Sequence, residues 1–236
     1  WSGSVHSVMP DPMLDLKTRR TWSSCYSVDS MYTVEANLGD CGHAFDWLAR
    51  TLSGGTFSFE EADRLAEQAA PGGDGVLAFL GPGPLSAPNA GLRMGGIIMP
   101  TPLTFQEPSP GQILRSYLES VAYSIKSNLD AISEVTGRRV SSMCLGGSMS
   151  KSDVLAATLA NVIEIPVHRA RDPQVSAKGA AAAAWVSVGE SSCLEEAVGE
   201  QQPDFDLFLP EPLQTAEYLD HYHRWLETFH SLTPRE

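Results

Sequence analysis

The sequence has few cysteines, little positive charge and no long apolar run. Its four cysteines are widely spaced with no C-x-x-C pair, which argues against a zinc site or a dense disulfide framework. Acidic residues number 29 against 16 lysines and arginines, and a net charge of −13 disfavours binding to nucleic-acid phosphates. No apolar run approaches the roughly 20 residues that cross a bilayer. These absences predict a soluble, cytoplasmic, globular protein that binds neither nucleic acid nor membrane.

Two common nucleotide-binding motifs are also missing. The sequence contains no G-x-x-x-x-G-K-[ST], so a Walker-type phosphate loop is excluded. The G-x-G over residues 81–83 contains Pro82 and has Ser86 where a third glycine should stand, so a dinucleotide fingerprint is excluded as well. A nucleotide site in this chain must therefore be built in another way.

The first third of the chain predicts three strands and a helix. Residues 2–8 and 22–38 are rich in Ser, Thr, Val and Tyr with partial alternation, which is typical of strands that pair antiparallel. A helix is expected to begin at Asp40 or Cys41, because apolar residues then recur at helical spacing. The first predicted strand has no visible beginning, so the chain that starts at Trp1 is expected to be part of a longer protein.

Capping residues mark two further helices. Ser58 is expected to be the N-cap of one helix, with Glu61 completing a capping box. Ser109 and Pro110 begin a long helix whose apolar residues recur every three or four positions, and Gly137 ends it. That length and pattern predict a core helix.

The second half alternates strands and helices. Strands are expected over residues 140–145 and 165–168, and helices over 151–163 and 176–188. Parallel strands joined by a helix build an α/β layer, in which ligands bind beyond the carboxyl ends of the strands. The turn after Leu145 is therefore the candidate ligand site.

That turn reads Gly146-Gly147-Ser148-Met149-Ser150. Glycines let the backbone approach a ligand closely, and free N–H groups at a helix start favour an anion or a polar ring edge. A plain tight connection explains the turn equally well. Cys144, which precedes the turn, is expected to be buried in its strand. Trp22 and Trp47 are expected to lie in the core. Asp204 and Asp206 are expected to be solvated in a loop.

Four segments in this order resemble motifs of the FGGY carbohydrate kinases, C-terminal domain, in the actin-like ATPase superfamily. The long helix carries Glu119 as in the family's R-A-x-x-E-G-x-A helix, with Ser120 in place of Gly. Asp46 stands where a G-x-x-x-Q-W-L helix has Gln. The similar segments are residues 42–48, residues 112–132, residues 146–148 with 159–161 and 165–167 (the adenosine motif), and residues 176–181 (the E-x-x-x-x-G-A-A stretch).

The resemblance implies the fold and the domain organisation. It implies a ribonuclease-H-like (actin-like ATPase) α/β domain over residues 1–189, with a mixed sheet flanked by helices. Residues 190–236 are expected to be a helical tail that packs on this domain. The aromatic residues of the tail, Tyr218 to Phe229, could instead pack on a partner, which leaves a homodimer open. The N-terminal kinase domain is absent from the chain.

The resemblance also implies ATP and Mg²⁺ as cofactors. Gly146, Gly147 and Ser148 match the turn that holds adenosine, and the polar contact to adenine falls on Ser150, Lys151 or Ser152. Gly42 and Asp46 match helix positions that face the nucleotide phosphates, where the extra carboxylate repels phosphate unless Mg²⁺ lies between. Ser2 resembles part of the second phosphate motif. The resemblance implies no protein ligand of a metal.

The implied activity is ATP-dependent phosphorylation of a sugar or polyol hydroxyl, which this chain would serve only in part. The family's D-x-G-T motif and its catalytic aspartate segment are missing from the sequence. No catalytic residue is therefore assigned here, and the small-molecule substrate is expected to bind through the missing domain. The isolated chain is expected to bind nucleotide weakly without turnover. A non-catalytic nucleotide- or sugar-binding module and another actin-like ATPase remain alternatives.

Overall fold

The computed structural model describes residues 2–87, 95–200 and 204–232. Within them lie eight strands and seven α-helices. The strands are β1 (Ser2–Met9), β2 (Trp22–Cys25), β3 (Tyr32–Asp40), β4 (Leu77–Phe79), β5 (Gly96–Ile98), β6 (Met143–Leu145), β7 (Val167–Ala170) and β8 (Phe205–Phe208). The helices are α1 (Gly42–Ser53), α2 (Phe59–Glu67), α3 (Pro110–Thr136), α4 (Asp153–Ile163), α5 (Val175–Val188), α6 (Leu194–Glu200) and α7 (Pro212–Leu232).

The first sheet is antiparallel, with the strand order β1-β3-β2. Its register pairs Ser2 with Asp40 at one end and Met9 with Tyr32 at the other. Alternate residues of β3, among them Val34 and Ala36, are fully buried, so one face of this sheet lies against the core. The three predicted early strands and their antiparallel pairing are confirmed.

The sheet that carries the glycine turn is mixed. β6 pairs parallel with β7, and α4 connects them, as the predicted strand–helix–strand unit requires. β8 then pairs antiparallel with β7, from Val167 opposite Phe208 to Ala170 opposite Phe205. The prediction that residues 190–236 are a purely helical tail is wrong at this strand. Four residues are too few for a pattern to reveal, and only pairing with β7 makes them a strand.

The long predicted helix, α3, is the spine of the molecule. Ser109 and Gln112 form a capping box at its start, and Gly137 ends it with a positive φ of 66°. Nineteen of its 27 residues are buried, so α3 is surrounded by other elements rather than lying on the surface. Its predicted bounds are confirmed.

The C-terminal helix α7 packs on this domain. Tyr218, Tyr222 and Trp225 are buried, and the Trp225 Nε1–H donates to the carbonyl of Ala78 at 3.3 Å. The Trp225 and Phe79 rings stack with their centroids 5.7 Å apart. The aromatic residues of the tail therefore face this chain's own core.

α5 is a 14-residue helix with little buried surface. Ala182 is its only buried residue, although most of its residues are apolar. Val175, Trp185 and Val188 are 40%, 39% and 73% exposed.

In the part of the chain that the structure describes, no helix is long and apolar enough to cross a membrane.

Candidate functional site: the glycine turn after β6

The two glycines of the turn do different things. A Cβ on Gly146 would lie 2.8 Å from a methyl carbon of Val175, so this glycine allows α5 to approach the turn closely. Gly147 has φ 94° and ψ 176°, a conformation essentially restricted to glycine. A Cβ there would meet no atom within 4 Å. Gly147 therefore presents bare backbone to open space.

Hydrogen bonds within the turn fix its shape. The buried Ser150 donates from its hydroxyl to the carbonyl of Gly147 at 2.7 Å and from its N–H to the same oxygen at 3.0 Å. The Gly147 N–H donates to the carbonyl of Pro173 at 3.2 Å. Ser148 is exposed beside them. These three hydrogen bonds fix the backbone of the turn around Gly147.

The structure separates the three candidates for the adenine contact. Ser152 is fully buried; its hydroxyl accepts from the Leu155 N–H at 2.9 Å and donates to the Asp63 carboxylate. Both roles of the Ser152 hydroxyl are therefore occupied in capping α4. Ser150 and Lys151 line the neighbouring cleft, and Ser152 does not.

A cleft of about 390 Å³ lies beside the turn. One wall comes from the residues that follow Gly147, and the opposite wall from the end of β7 and the segment after it. The lining residues are Ser150, Lys151, Asp153, Arg169, Ala170, Arg171, Pro173 and Asp206. Three cationic side chains and two carboxylates therefore line a space next to the turn.

The arginines of the cleft are held by acidic partners. Arg169 donates to Asp153 at the start of α4 and, at 2.7 Å, to Asp206 of β8. Arg171 donates to Asp206 and to Asp204, each at 2.8 Å. Hydrogen bonds from Arg169 and then from Arg171 hold the pKa of Asp206 below its usual value.

Sequence reasoning missed this set of ion pairs. Asp206, expected to be solvated in a loop, instead lies in β8 with a half-buried carboxylate that pairs with Arg169. Asp204 is exposed, as expected, and pairs with Arg171. The signal was the alternation in Phe205-Asp206-Leu207, which is typical of a strand but is very short. Pairing of β8 with β7 brings Asp206 opposite Arg169.

The other predicted site residues lie at the end of the first sheet. The backbone of Ser2 pairs with that of Asp40, and Gly42 begins α1 two residues later. Asp46 is exposed, and its carboxylate accepts from Arg50 Nε at 3.0 Å and Nη2 at 2.9 Å. The expected repulsion between Asp46 and phosphate is therefore offset by a cation one helical turn away.

Helices α2 and α3 connect these two groups of residues. From α3, the Tyr117 hydroxyl donates to the carbonyl of Cys41, the N-cap of α1, at 2.6 Å. From α2, Asp63 accepts from Ser152 at the start of α4. Burial raises the pKa of Asp63, and the hydrogen bond from Ser152 opposes that rise. The glycine turn is thus tied to α2 and the start of α1 to α3, and these two helices pack on each other.

The geometry suits an adenine nucleotide better than a metal held by protein alone. The open face at Gly147 can receive a purine ring, and the cations of the cleft can attract negative charge. Among the described residues, no group of three His, Cys, Asp or Glu side chains could hold a metal ion.

Comparison with known sequences gives a family match. A family model described as the FGGY family of carbohydrate kinases, C-terminal domain, matches residues 3–188. A glycerol kinase of Haloferax volcanii is 30% identical over 201 residues, which cover 83% of this chain and 37% of that protein. Glycerol kinase 2 of Streptomyces avermitilis is 26% identical over 197 residues, with the same coverage. The chain therefore spans little more than a third of the length of these relatives.

Comparison with solved structures gives the fold. The xylulose kinase of Rhodospirillum rubrum matches 98% of this chain with a TM-score of 0.77 and 18% identity, over 45% of its own length. The glycerol kinase of Plasmodium falciparum, solved with ADP, matches 99% of this chain with a TM-score of 0.73 and 16% identity, over 46% of its own length. The predicted ribonuclease-H-like α/β fold is confirmed.

Proposed function

The chain belongs to the FGGY family of carbohydrate kinases, as its C-terminal domain, and we propose that it is the nucleotide-binding half of an ATP-dependent sugar or polyol kinase. One observation carries the proposal: Gly147 presents open backbone at the carboxyl end of β6, beside a cleft lined by Lys151 and Arg171. Ligands bind at this position in α/β sheets. Family membership also decides against the alternative of another actin-like ATPase.

Each predicted residue has a role in this proposal. The adenine ring lies in the cleft against Ser150 and Lys151, and Gly146 lets the turn sit close to α5. The exposed Ser148 and the open face of Gly147 lie toward the nucleotide, and hydrogen bonds within the turn fix its shape.

The phosphates extend toward the end of the first sheet. There, Ser2 lies in β1 and Gly42 begins α1, whose N-cap has no side-chain hydrogen bond. The N–H groups of this helix start favour negative charge. Arg50 pairs with Asp46, so the Asp46 carboxylate does not prevent the negatively charged phosphates from binding there. Mg²⁺, when bound with ATP, would supply charge neutralisation for the transferred phosphate.

We propose that the rest of a kinase packs on α5. This helix exposes Trp185 and Val188 together with most of its alanines, an unusual surface for a helix that faces only water. The catalytic base and the small-molecule substrate would come with that other half, because in-line phosphoryl transfer requires both. The cytoplasmic location, the homodimer and the absence of nucleic-acid partners stay predictions of the sequence.

Titration calorimetry of the isolated chain with Mg-ATP tests nucleotide binding. Gly147→Ala should weaken binding at least about tenfold, because the methyl group enters the open space and strains a glycine-only conformation. Gly137→Ala is the matched control, since Gly137 also has positive φ and an open Cβ position but ends α3.

Equal binding by wild type and Gly147→Ala would place the nucleotide elsewhere. Wild type that binds no nucleotide at all would overturn the proposal. A coupled assay with glycerol or xylulose should show no turnover by the isolated chain, because the sequence contains no catalytic aspartate segment.

A further inference from the structure

β8 lies outside the family match to residues 3–188, yet it contributes to the wall of the nucleotide cleft. Asp206, near the start of β8, also lines a second cleft of about 570 Å³ between α4, β8 and α7. Asp153, Arg169 and Asp206 line both clefts. The side chain of Arg169 with its two carboxylates is therefore the partition between them.

Arg169 connects the C-terminal segment to the glycine turn. The Arg169 side chain is only 17% exposed. Its guanidinium bonds to Asp153 on one side and to Asp206 on the other. It also lies 4.9 Å over the centroid of the Phe208 ring in β8. Asp153 is the first residue of α4, and α4 follows directly on the turn. One cation thus bridges β8 and the helix that the turn introduces.

We propose that Asp206 is a positioning residue for the nucleotide: through Arg169, strand β8 sets the width of the cleft between the glycine turn and the segment that follows β7. This inference rests on the proposed nucleotide-binding function. Without Asp206, Arg169 keeps only the exposed Asp153 as an acidic partner, and Arg171 keeps only Asp204. The cleft wall then loses the one carboxylate that holds both arginines.

The coupling is reciprocal. If β8 in its paired position strengthens nucleotide binding, then bound nucleotide must stabilise the pairing of β8 with β7 by the same factor. This second consequence can be measured on the unaltered chain. Because a ligand that binds only the folded chain also slows exchange through global unfolding, the test uses those β8 amides that exchange faster than the amides of α3 and therefore by local opening.

The first experiment compares Asp206→Asn with Asp204→Asn by titration calorimetry with Mg-ATP. Both substitutions remove a carboxylate from Arg171, but Asp204 neither bonds to Arg169 nor lines the cleft. Asp206→Asn should weaken binding about tenfold, within the usual range of coupling between sites. Asp204→Asn should change it by less than about twofold, as surface substitutions do. Asp206→Glu should recover part of the loss.

The second experiment measures hydrogen exchange of the β8 amides in the wild-type chain, with and without Mg-ATP. Slower exchange of these locally opening β8 amides with nucleotide supports the inference, and unchanged exchange overturns it even if Asp206→Asn fails to fold. Wild-type binding with equal affinity in Asp206→Asn and Asp204→Asn overturns the positioning role and leaves the nucleotide-binding proposal intact. Absence of binding by wild type overturns both.

Discussion

The side chain of Ser152 makes different contacts from those of its neighbours Ser150 and Lys151. It caps α4 and bonds to Asp63, whereas Ser150 and Lys151 line the cleft. The sequence could not distinguish these three residues, because their roles depend on the 3₁₀ turn over Ser148–Lys151 that places them. Asp63, which no sequence pattern marks, accepts the hydrogen bond from Ser152 and so engages its hydroxyl.

Asp63 predicts a measurable pH dependence. Burial raises its pKa above the usual 3.8, so the folded chain binds this proton more tightly than the unfolded chain. Its contribution favours folding below the usual pKa and is lost as the pH rises through the raised value. The difference in free energy of unfolding between wild type and Asp63→Asn should therefore fall as the pH rises from about 4.

Urea unfolding at a series of pH values measures that difference. The same substitution at exposed Asp11 is the control. A difference between wild type and Asp63→Asn that stays constant with pH would contradict the assigned effect of burial.

Three other side chains lie where local pattern did not put them. Trp22 and Trp47, expected in the core, are 37% and 48% exposed, and Cys144, expected to be buried, is exposed. Cys144 points to the face of its sheet that it shares with His168, its register partner in β7, and the buried Val167 lies on the opposite face. A three-residue strand does not reveal which face the core will cover.

At the scale of elements, the ends of helices were easier to predict than the contacts between elements. The capping boxes of α2 and α3 depend on residues three positions apart, so the sequence contains them whole. The partners of α3 do not appear in any local pattern. Arg115 and Glu119 pair inside it at 3.0 Å, and Glu119 also accepts from the Gly72 N–H at 2.8 Å.

Removing this carboxylate should strongly destabilise the fold. Glu119 is 2% exposed, and burial raises its pKa while Arg115 opposes the rise. Glu119→Ala leaves a buried guanidinium without its carboxylate, which costs about 3–5 kcal/mol. Urea unfolding should show that loss, and exposed Glu134→Ala on the same helix should show less than about 0.5 kcal/mol. A loss at Glu119 no larger than at Glu134 would mean that the ion pair contributes nothing.

At the scale of the whole molecule, the order of motifs predicted the fold and the family. Glycine turns, caps and small-residue helices are local features that occur in many proteins. Only their combination, in this order along the chain, resembles one family. The arrangement of the two groups of site residues was not predictable, because it depends on long-range bonds such as Tyr117 to Cys41. The role of β8 in the cleft was missed for the same reason.

The packing of α7 predicts how far the C-terminal segment matters for stability. Trp225 is fully buried, and its ring stacks on those of Phe79 in β4 and Phe229, whose centroids are themselves 6.5 Å apart. Trp225→Ala should lower the free energy of unfolding by about 3–5 kcal/mol, the usual cost of removing a buried aromatic side chain. Leu213→Ala in the same helix is the control, since Leu213 is 89% exposed.

Urea unfolding of the two variants checks this expectation. Equal stability of Trp225→Ala and Leu213→Ala would mean that α7 can leave the domain without loss. In that case β8, which directly precedes α7, would be free to separate from β7 as well.

The bare main chain at Gly147 bears on how such a protein can evolve. Atoms that every amino acid possesses do not change when neighbouring side chains are exchanged, so mutation around the turn leaves the surface offered to a ligand intact. Only a residue unable to adopt the glycine's backbone angles would close it. Under the proposed function, a lineage can therefore exchange the side chains around the turn and keep the same place for the nucleotide.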